Sequence, residues 1–421
     1  MHTLLEFPAR RLAEGRAQRR YFFYSHDAQG LGHTQRNLAI AGAVMELDPG
    51  AASLVVTGTN QVHRLGVPKN VGILKLPGLR KVANQRYAGR NLQVTVPDVI
   101  ALRAQLLRGG VDAFAPNILL ADKHPLGVHH ELVPALKALR AHGGIAVLGL
   151  RDILDDPATV EREWANDRVK ENTAEYYERI LIYGAREIFD PVQAYNFLPT
   201  LAERTSFCGY VINRVRIDDR ANASQRKLLK QTANGRPLVV ASTGGGEDGF
   251  KLLETFVKSS VGARWRGVAV SGPLAKRKDY RLLRELSAST GVAAFGFVAG
   301  LGQVIAVADA LVCMGGYNTL VEAVASGTPT VCVPRVEPRT EQLIRAQALE
   351  RMKLVRFIKP SHLDPQVMRA EIERALAVPR AELRARGSIL SFDGAAEAAR
   401  HLVALAGGDS MVEDKERAAR A

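Results

Sequence analysis

Residues 311–346 read LVCMGGYNTLVEAVASGTPTVCVPRVEPRTEQLIRA, and this stretch decides the fold. The run Ala308 to Cys313 has strand character, Gly315-Gly316 forms a turn, and a helix is predicted from about Tyr317 to Ser326. Leu320, Val321 and Val324 fall on one apolar stripe of that helix. Gly327 supplies its stop and Pro329 follows. A short strand, Thr330 to Val333, comes next, then a loop carrying Arg335, Glu337 and Arg339, and another helix. Asn318 and Glu322 are four apart, so they share a helix face off the apolar stripe. Glycines before a helix start let an anion approach backbone N–H groups, where the helix dipole favours it. A carboxylate one turn further in can accept hydrogen bonds from two neighbouring hydroxyls. A phosphate and a diol at that spacing describe a nucleotide; the plainer alternative is a βαβ unit with a surface Glu.

Working outward, apolar strands alternate with helical segments along most of the chain, which predicts parallel sheets covered on both faces. The first block runs from YFFYS (21–25) through SLVVTG (53–58), VGILKLP, NILLAD (117–122), IAVLGLRD (145–152) and RILIYG (179–184) to FCGYV (207–211). Helices are expected near 34–46, 96–110, 130–141 and 159–178, and residues 82–95 read as a polar loop. The polar stretch 213–236 is a linker. A second block starts at PLVVAS (237–242) and continues through GVAVSG and AAFGFV into the opening stretch, ending near 390. Residues 391–406 form a last helix, 1–20 a basic tail, and 407–421 a polar tail expected to be disordered. The first domain is therefore 21–212 and the second 237–390. Two such sheets in tandem place ligands at their strands' carboxyl ends and share one interdomain cleft.

The chain has 421 residues and a formal net charge of +14. That charge suits an anionic ligand, an acidic membrane surface or nucleic acid without choosing among them. Aromatic content is 6% and no stacking motif is present, so nucleic acid is the poorest fit. No apolar run reaches membrane-spanning length, and the arginines between Arg10 and Arg20 precede no apolar core, so neither a membrane span nor a signal peptide is expected. Cys208, Cys313 and Cys332 lack metal spacing and suit small core positions in a reducing cytosol.

Two further loops carry candidate chemistry. Ser242-Thr243-Gly244-Gly245-Gly246 stands between a strand and a helix. Gly244, Gly246 and Gly249 match G-x-G-x-x-G, but the next strand ends in Val270-Ser271-Gly272 without the acid a dinucleotide site needs, and the P-loop Lys is missing. Gly30-Leu31-Gly32-His33-Thr34-Gln35-Arg36 follows the first strand. His33 at a helix start is favoured neutral, ready to accept a proton; its alternative is a packing residue of the helix start. Asp122, Arg151 and Asp152 end two more strands of the first domain and would line its side of the cleft. Asp155 or Asp156 caps the helix that Pro157 opens.

The opening stretch resembles the donor-binding segment of GT-B glycosyltransferases, nearest to the MurG type. The resemblance spans about residues 21–405 and implies an inverting transferase that takes a nucleotide diphosphate sugar, with UDP expected. Gly315, Gly316 and the turn Ser242 to Gly245 would lie near the diphosphate. Asn318 and Thr319 would line the donor site, and Glu322 would bind the ribose hydroxyls. Glu341 and Gln342 match a pair that contacts the donor sugar. The MurG type has Gln where Glu341 stands, which leaves the sugar open. The first-domain loop also resembles the Gly-x-Gly-His-x-x-Arg of a pseudaminic acid pathway nucleotide-sugar hydrolase, at Gly30, Gly32, His33 and Arg36. The resemblance thus implies His33 as catalytic base, a nucleotide-sugar donor, and no cofactor or essential metal. The acceptor is unknown and could be lipid-linked, glycan or small molecule. A cytoplasmic protein, peripheral on an anionic membrane, is expected. A hydrolase using water, and a non-catalytic binder of nucleic acid or membrane, are the rivals.

Overall fold

The computed structural model describes residues 18–26, 31–62, 65–83, 86–89, 92–212 and 235–407. Gly30, the linker from 213 to 234, and both extreme tails lie outside the described residues.

The first domain runs β1 (Arg20–Tyr24), α1 (Gly32–Leu47), β2 (Ala52–Thr57), β3 (Val71–Lys75), β4 (Leu79–Ala83), β5 (Arg86–Gly89), α2 (Val96–Phe114), β6 (Ile118–Asp122), α3 (Val133–Ala141), β7 (Ile145–Arg151), α4 (Pro157–Asn166), α5 (Val169–Tyr176), β8 (Arg179–Tyr183), α6 (Pro191–Ala194), α7 (Pro199–Glu203) and β9 (Thr205–Phe207). Seven strands form one parallel sheet in the order β3-β2-β1-β6-β7-β8-β9. Central strands such as β6 are buried along their whole length, which is why they read as unbroken apolar runs.

The second domain runs β10 (Leu238–Ser242), α8 (Phe250–Ser259), β11 (Arg266–Val270), α9 (Arg277–Ala288), β12 (Ala293–Phe295), α10 (Leu301–Val307), β13 (Ala310–Cys313), α11 (Tyr317–Ser326), β14 (Thr330–Cys332), α12 (Glu341–Arg351), β15 (Arg356–Phe357), α13 (Pro365–Leu376), α14 (Arg380–Gly387) and α15 (Gly394–Leu405). Its six strands are parallel in the order β12-β11-β10-β13-β14-β15. In each sheet the order reverses at one place, between β1 and β6 and between β10 and β13. Ligands of open α/β sheets bind at such switch points.

Two local expectations need correction. Within 82–95, expected as a loop, residues 82–83 and 86–89 belong to two paired antiparallel strands, β4 and β5. Their charged residues hid the alternation. The expected single helix near 159–178 is two helices, because Arg168 takes a positive φ of 47° between them. The helices α6, α7 and α14 were also not anticipated; α6 and α7 are too short to show periodicity.

The last helix crosses back to the first domain. Ala398, Ala399, Leu402 and Val403 are buried with Leu38, Ile40, Ala41 and Val44 of α1 in one apolar core. The crossing is tied by Tyr210 N donating to Ser391 O (2.8 Å) and Gly394 N to Tyr210 O (3.1 Å). Cys313 and Cys332 pair in register on β13 and β14 and are buried, as is Cys208.

Candidate functional site

The carboxyl ends of both sheets open on one cavity of about 660 Å³ between the domains. The second domain supplies Gly244, Gly245, Gly316, Asn318, Thr319 and Glu322 to its walls, and the first supplies Gly32, His33, Arg36 and Arg151.

The second-domain wall follows from glycines. The turn after β10 and the turn after β11 interlock: a Cβ at Gly272 would stand 2.3 Å from Gly244 O, and Gly272 has φ +89°. No other residue fits so close a backbone approach. Gly316 caps α11 at its N-terminus, and that dipole end faces the cavity. Glu322 sits one turn in. Burial pushes its carboxyl up to about 7. A Cβ at Gly302 would lie 2.7 Å from the Glu322 Oε2, so the carboxylate nests against that glycine. Gly302, with Phe297 and Gln303, belongs to the wall and was not singled out from sequence. The turn after β12 carries no motif to mark it.

Not every expected donor residue reaches the cavity wall. Ser242 is buried, and its Oγ accepts from Gly244 N at 3.2 Å. Thr243 donates through Oγ1 to Ser271 O at 2.8 Å. Both shape the turn rather than line the cavity. Gly315 offers its carbonyl to Arg345 Nη1 at 3.3 Å. Glu341 opens α12, and Arg335 Nη2 donates to its Oε1 at 2.9 Å. Gln342 Oε1 accepts from Arg335 N at 3.1 Å. Glu341 and Gln342 therefore shore up the Arg335 loop beside the cavity. Burial opposes ionisation of Glu341, but Arg151, Arg335 and Arg345 hold its pKa below the usual value.

In the first domain, His33 is the second residue of α1 and its Nδ1 lies 3.2 Å from Asp122 Oδ2. Arg36, one turn on, donates from Nη2 to both Asp122 oxygens at 2.9 and 2.8 Å. The same Nη2 stands 2.9 Å from His33 Nδ1. Burial alone would raise Asp122, yet Arg36 and His33 bring it down to about 2. Asp122 is fully buried, so it does not face the cavity as expected but stands behind His33. His26 and His124 complete the surroundings: their rings are 4.3 Å apart, and His26 lies 5.3 Å from His33. Burial holds both well below the ordinary histidine pKa, so they stay neutral.

Asp152 is likewise not a cleft carboxylate. Arg345 of α12 holds it across the domain boundary through Nη2 to Oδ1 (2.7 Å) and Nε to Oδ2 (3.0 Å), both buried. Asp155 also crosses, accepting from Arg339 Nη1 at 3.0 Å and from Thr340 N at 2.8 Å. Asp156 is the helix cap, accepting from Thr159 N at 3.0 Å. Asn318 Nδ2 donates to Gln35 Oε1 at 3.0 Å, joining the two walls at the cavity itself. The Arg345 and Arg339 bridges, 193 and 184 residues apart in sequence, had no local signal. Among the described residues no three His, Cys, Asp or Glu side chains are grouped to hold a metal.

Comparison with known proteins bears on this geometry. Residues 245–400 match the Glycosyltransferase family 28 C-terminal domain. A 144-residue segment, 34% of this chain, is 27% identical to the UDP-N-acetylglucosamine–N-acetylmuramyl-(pentapeptide) pyrophosphoryl-undecaprenol N-acetylglucosamine transferase of Corynebacterium efficiens. That segment spans 38% of the relative's length. Solved structures agree in fold over nearly the whole chain. The calicheamicin glycosyltransferase CalG4 superimposes with a TM-score of 0.61 at 16% identity, covering 93% of this chain and 99% of its own. The MurG structure of Acinetobacter baumannii gives 0.57 at 12% identity, covering 92% and 99%. The two facing parallel-sheet domains are thus the GT-B fold.

Proposed function

We propose that the protein is an inverting glycosyltransferase that moves a sugar from a nucleotide diphosphate donor, UDP-linked, to an acceptor hydroxyl. The observation that carries this reading is that His33 and Glu322 face one cavity from opposite domains. On the donor side, the diphosphate lies along Gly244, Gly245 and the N-terminus of α11, and the ribose hydroxyls donate to Glu322. The helix dipole and backbone N–H groups stabilise the leaving diphosphate, so no essential metal is required. On the acceptor side, His33 takes the acceptor's hydroxyl proton, and Asp122, 3.2 Å from its Nδ1, stabilises the imidazolium that forms. Arg36 keeps Asp122 ionised for that role. The acceptor oxygen then attacks the anomeric carbon from the face opposite the departing diphosphate, and the configuration inverts.

The acceptor we favour is lipid-linked, with the protein docked peripherally on an anionic cytoplasmic membrane face. The name of the Corynebacterium relative specifies a pyrophosphoryl-undecaprenol acceptor. Net charge is +14, and Leu92, Val94, Leu102 and Leu106 are exposed on the first domain. No helix among the described residues is long and apolar enough to cross a membrane. The test is nucleotide release from UDP-, dTDP- and GDP-sugars, measured with and without a membrane lipid extract. Lipid-dependent release from a UDP-sugar is expected. Equally fast release without any acceptor would make the protein a nucleotide-sugar hydrolase, and no release from any donor would end the enzymatic reading.

A further inference from the structure

Arg151 ends β7 in the cavity wall, and the charges around it do not close. Asp122 is taken by Arg36 at 2.8 Å. Asp152 is taken by Arg345 at 2.7 Å, Glu341 by Arg335 at 2.9 Å, and Asp155 by Arg339 at 3.0 Å. Each carboxylate close by is thus in contact with another arginine. The Arg151 side chain has no ion pair or hydrogen bond among the described residues, and its Nε is sealed from solvent without an acceptor. Burial, with Arg345 and Arg36 nearby, pulls its pKa below the usual value despite Glu341 and Asp152. A guanidinium set into a wall among other cations, with no protein anion in contact, is an unfavourable arrangement by itself. It becomes favourable when a ligand brings the missing charge.

We infer that Arg151 seats an anionic group, a carboxylate or a phosphate monoester, at the sugar end of the substrate pair. This rests on the glycosyltransferase reading and adds a substrate class to it. The planar guanidinium fork matches either group with two parallel hydrogen bonds. Its position argues against the donor diphosphate as the natural occupant. The glycine turns and helix end suited to a diphosphate belong to the second domain, whereas Arg151 belongs to the first and neighbours Glu341 at the start of α12. The anion can belong to the donor, as a uronic acid, or to the acceptor.

Arg151→Met and Arg151→Lys, compared with the wild-type protein, separate these sources. The unliganded melting temperature of Arg151→Met should not fall, because an unpaired charge has been removed. Dissociation constants for UDP, dTDP and GDP should match wild type. If none of the three binds either protein, it is the glycosyltransferase reading that fails. In the donor arm, wild type should bind UDP-glucuronate about tenfold or more tighter than UDP-glucose, and Arg151→Met should lose that preference while Arg151→Lys keeps part of it. In the acceptor arm, with UDP saturating, glucuronate or glucose 6-phosphate should bind more tightly than glucose in wild type only. A preference in either arm that disappears in Arg151→Met supports the inference and names the source. No preference for the anion in either arm overturns it. So does an equal loss of affinity for bare UDP, which would place Arg151 on the diphosphate.

Discussion

Asp122 ends β6 and Asp152 directly follows the neighbouring β7, and both are fully buried against an arginine fork. Their sequence contexts look alike, yet they serve different ends because the arginines come from different places. Arg36 lies in the first domain, one helical turn from His33, so Asp122 acts on the imidazole. Arg345 lies in the second domain and also holds the Gly315 carbonyl, so Asp152 acts on the domain boundary and on the turn before α11. A buried carboxylate at a strand end is therefore not assigned by its position. Its partner assigns it.

The comparison breaks most visibly in turnover. His33→Ala should lower the rate of transfer by about 10²–10⁴ while nucleotide affinity stays nearly constant. Asp122→Asn should fall in the same range, because the carboxylate that stabilises the imidazolium is lost. Steady-state kinetics with donor affinity measured separately decides this. If Asp122→Asn kept full turnover, Asp122 would be no more than a partner for Arg36.

Asp152 should answer in stability instead. Asp152→Asn or Arg345→Met leaves one buried charge without its counter-ion, which costs about 3–5 kcal/mol. Replacing both by apolar residues should restore most of the loss. Denaturant unfolding of the single and double variants tests the pair. Near-additive losses would mean that the two side chains do not couple.

The residues that line the cavity from the second domain were legible and those from the first only partly so, and the reason is locality. Gly316, Asn318, Thr319 and Glu322 lie within seven residues on one turn and one helix face, where helical periodicity alone brings them together. His33 and Arg36 were legible for the same reason. Asp122 joins them from 86 residues away, and Arg345 reaches Asp152 across 193. No spacing rule spans such separations. Ser242 and Thr243 were placed on the ligand because their turn is glycine-rich, but side chains that hydrogen-bond their own turn are withdrawn from it. The β4–β5 hairpin was read as loop because its polar residues mask a period of two.

Glu322 sharpens the contrast between domains through pH. Its carboxyl is raised to about 7 by burial, above the usual value near 4.3 in an unfolded chain. Between those values the native state binds the extra proton, so this group's contribution to stability falls as pH rises from about 4.5 to 7 and is flat above. Ribose hydroxyls need the ionised form as acceptor, so nucleotide affinity should move the other way and weaken as pH falls below about 7. Glu322→Ala should weaken nucleotide binding about ten- to a hundredfold, corresponding to about 1.5–3 kcal/mol of charge-assisted hydrogen bonding. Calorimetric titration between pH 5.5 and 8 tests both; a pH-independent affinity would remove Glu322 from the ribose site.

The smallest effect belongs to another pair of neighbours, Asp155 and Asp156. Asp156 accepts from Thr159 N at 3.0 Å and caps α4 within its own domain. Asp155 accepts from Arg339 and Thr340 of the other domain. Asp156→Ala should cost about 1 kcal/mol, the ordinary value of a lost N-cap, and leave turnover and donor affinity alone. Asp156→Asn should recover most of it, because an amide oxygen caps nearly as well as a carboxylate. Asp155→Asn differs in kind: it leaves Arg339 only Glu163, at 2.7 Å, as a counter-ion and loosens the domains against each other. Thermal unfolding of the three variants, each with and without saturating nucleotide, compares them directly. Nucleotide bound in the cleft should offset part of the Asp155→Asn loss and none of the Asp156→Ala loss, since only the first variant changes how the domains meet. An identical response of both would show that Asp155, like its neighbour, serves only the local turn.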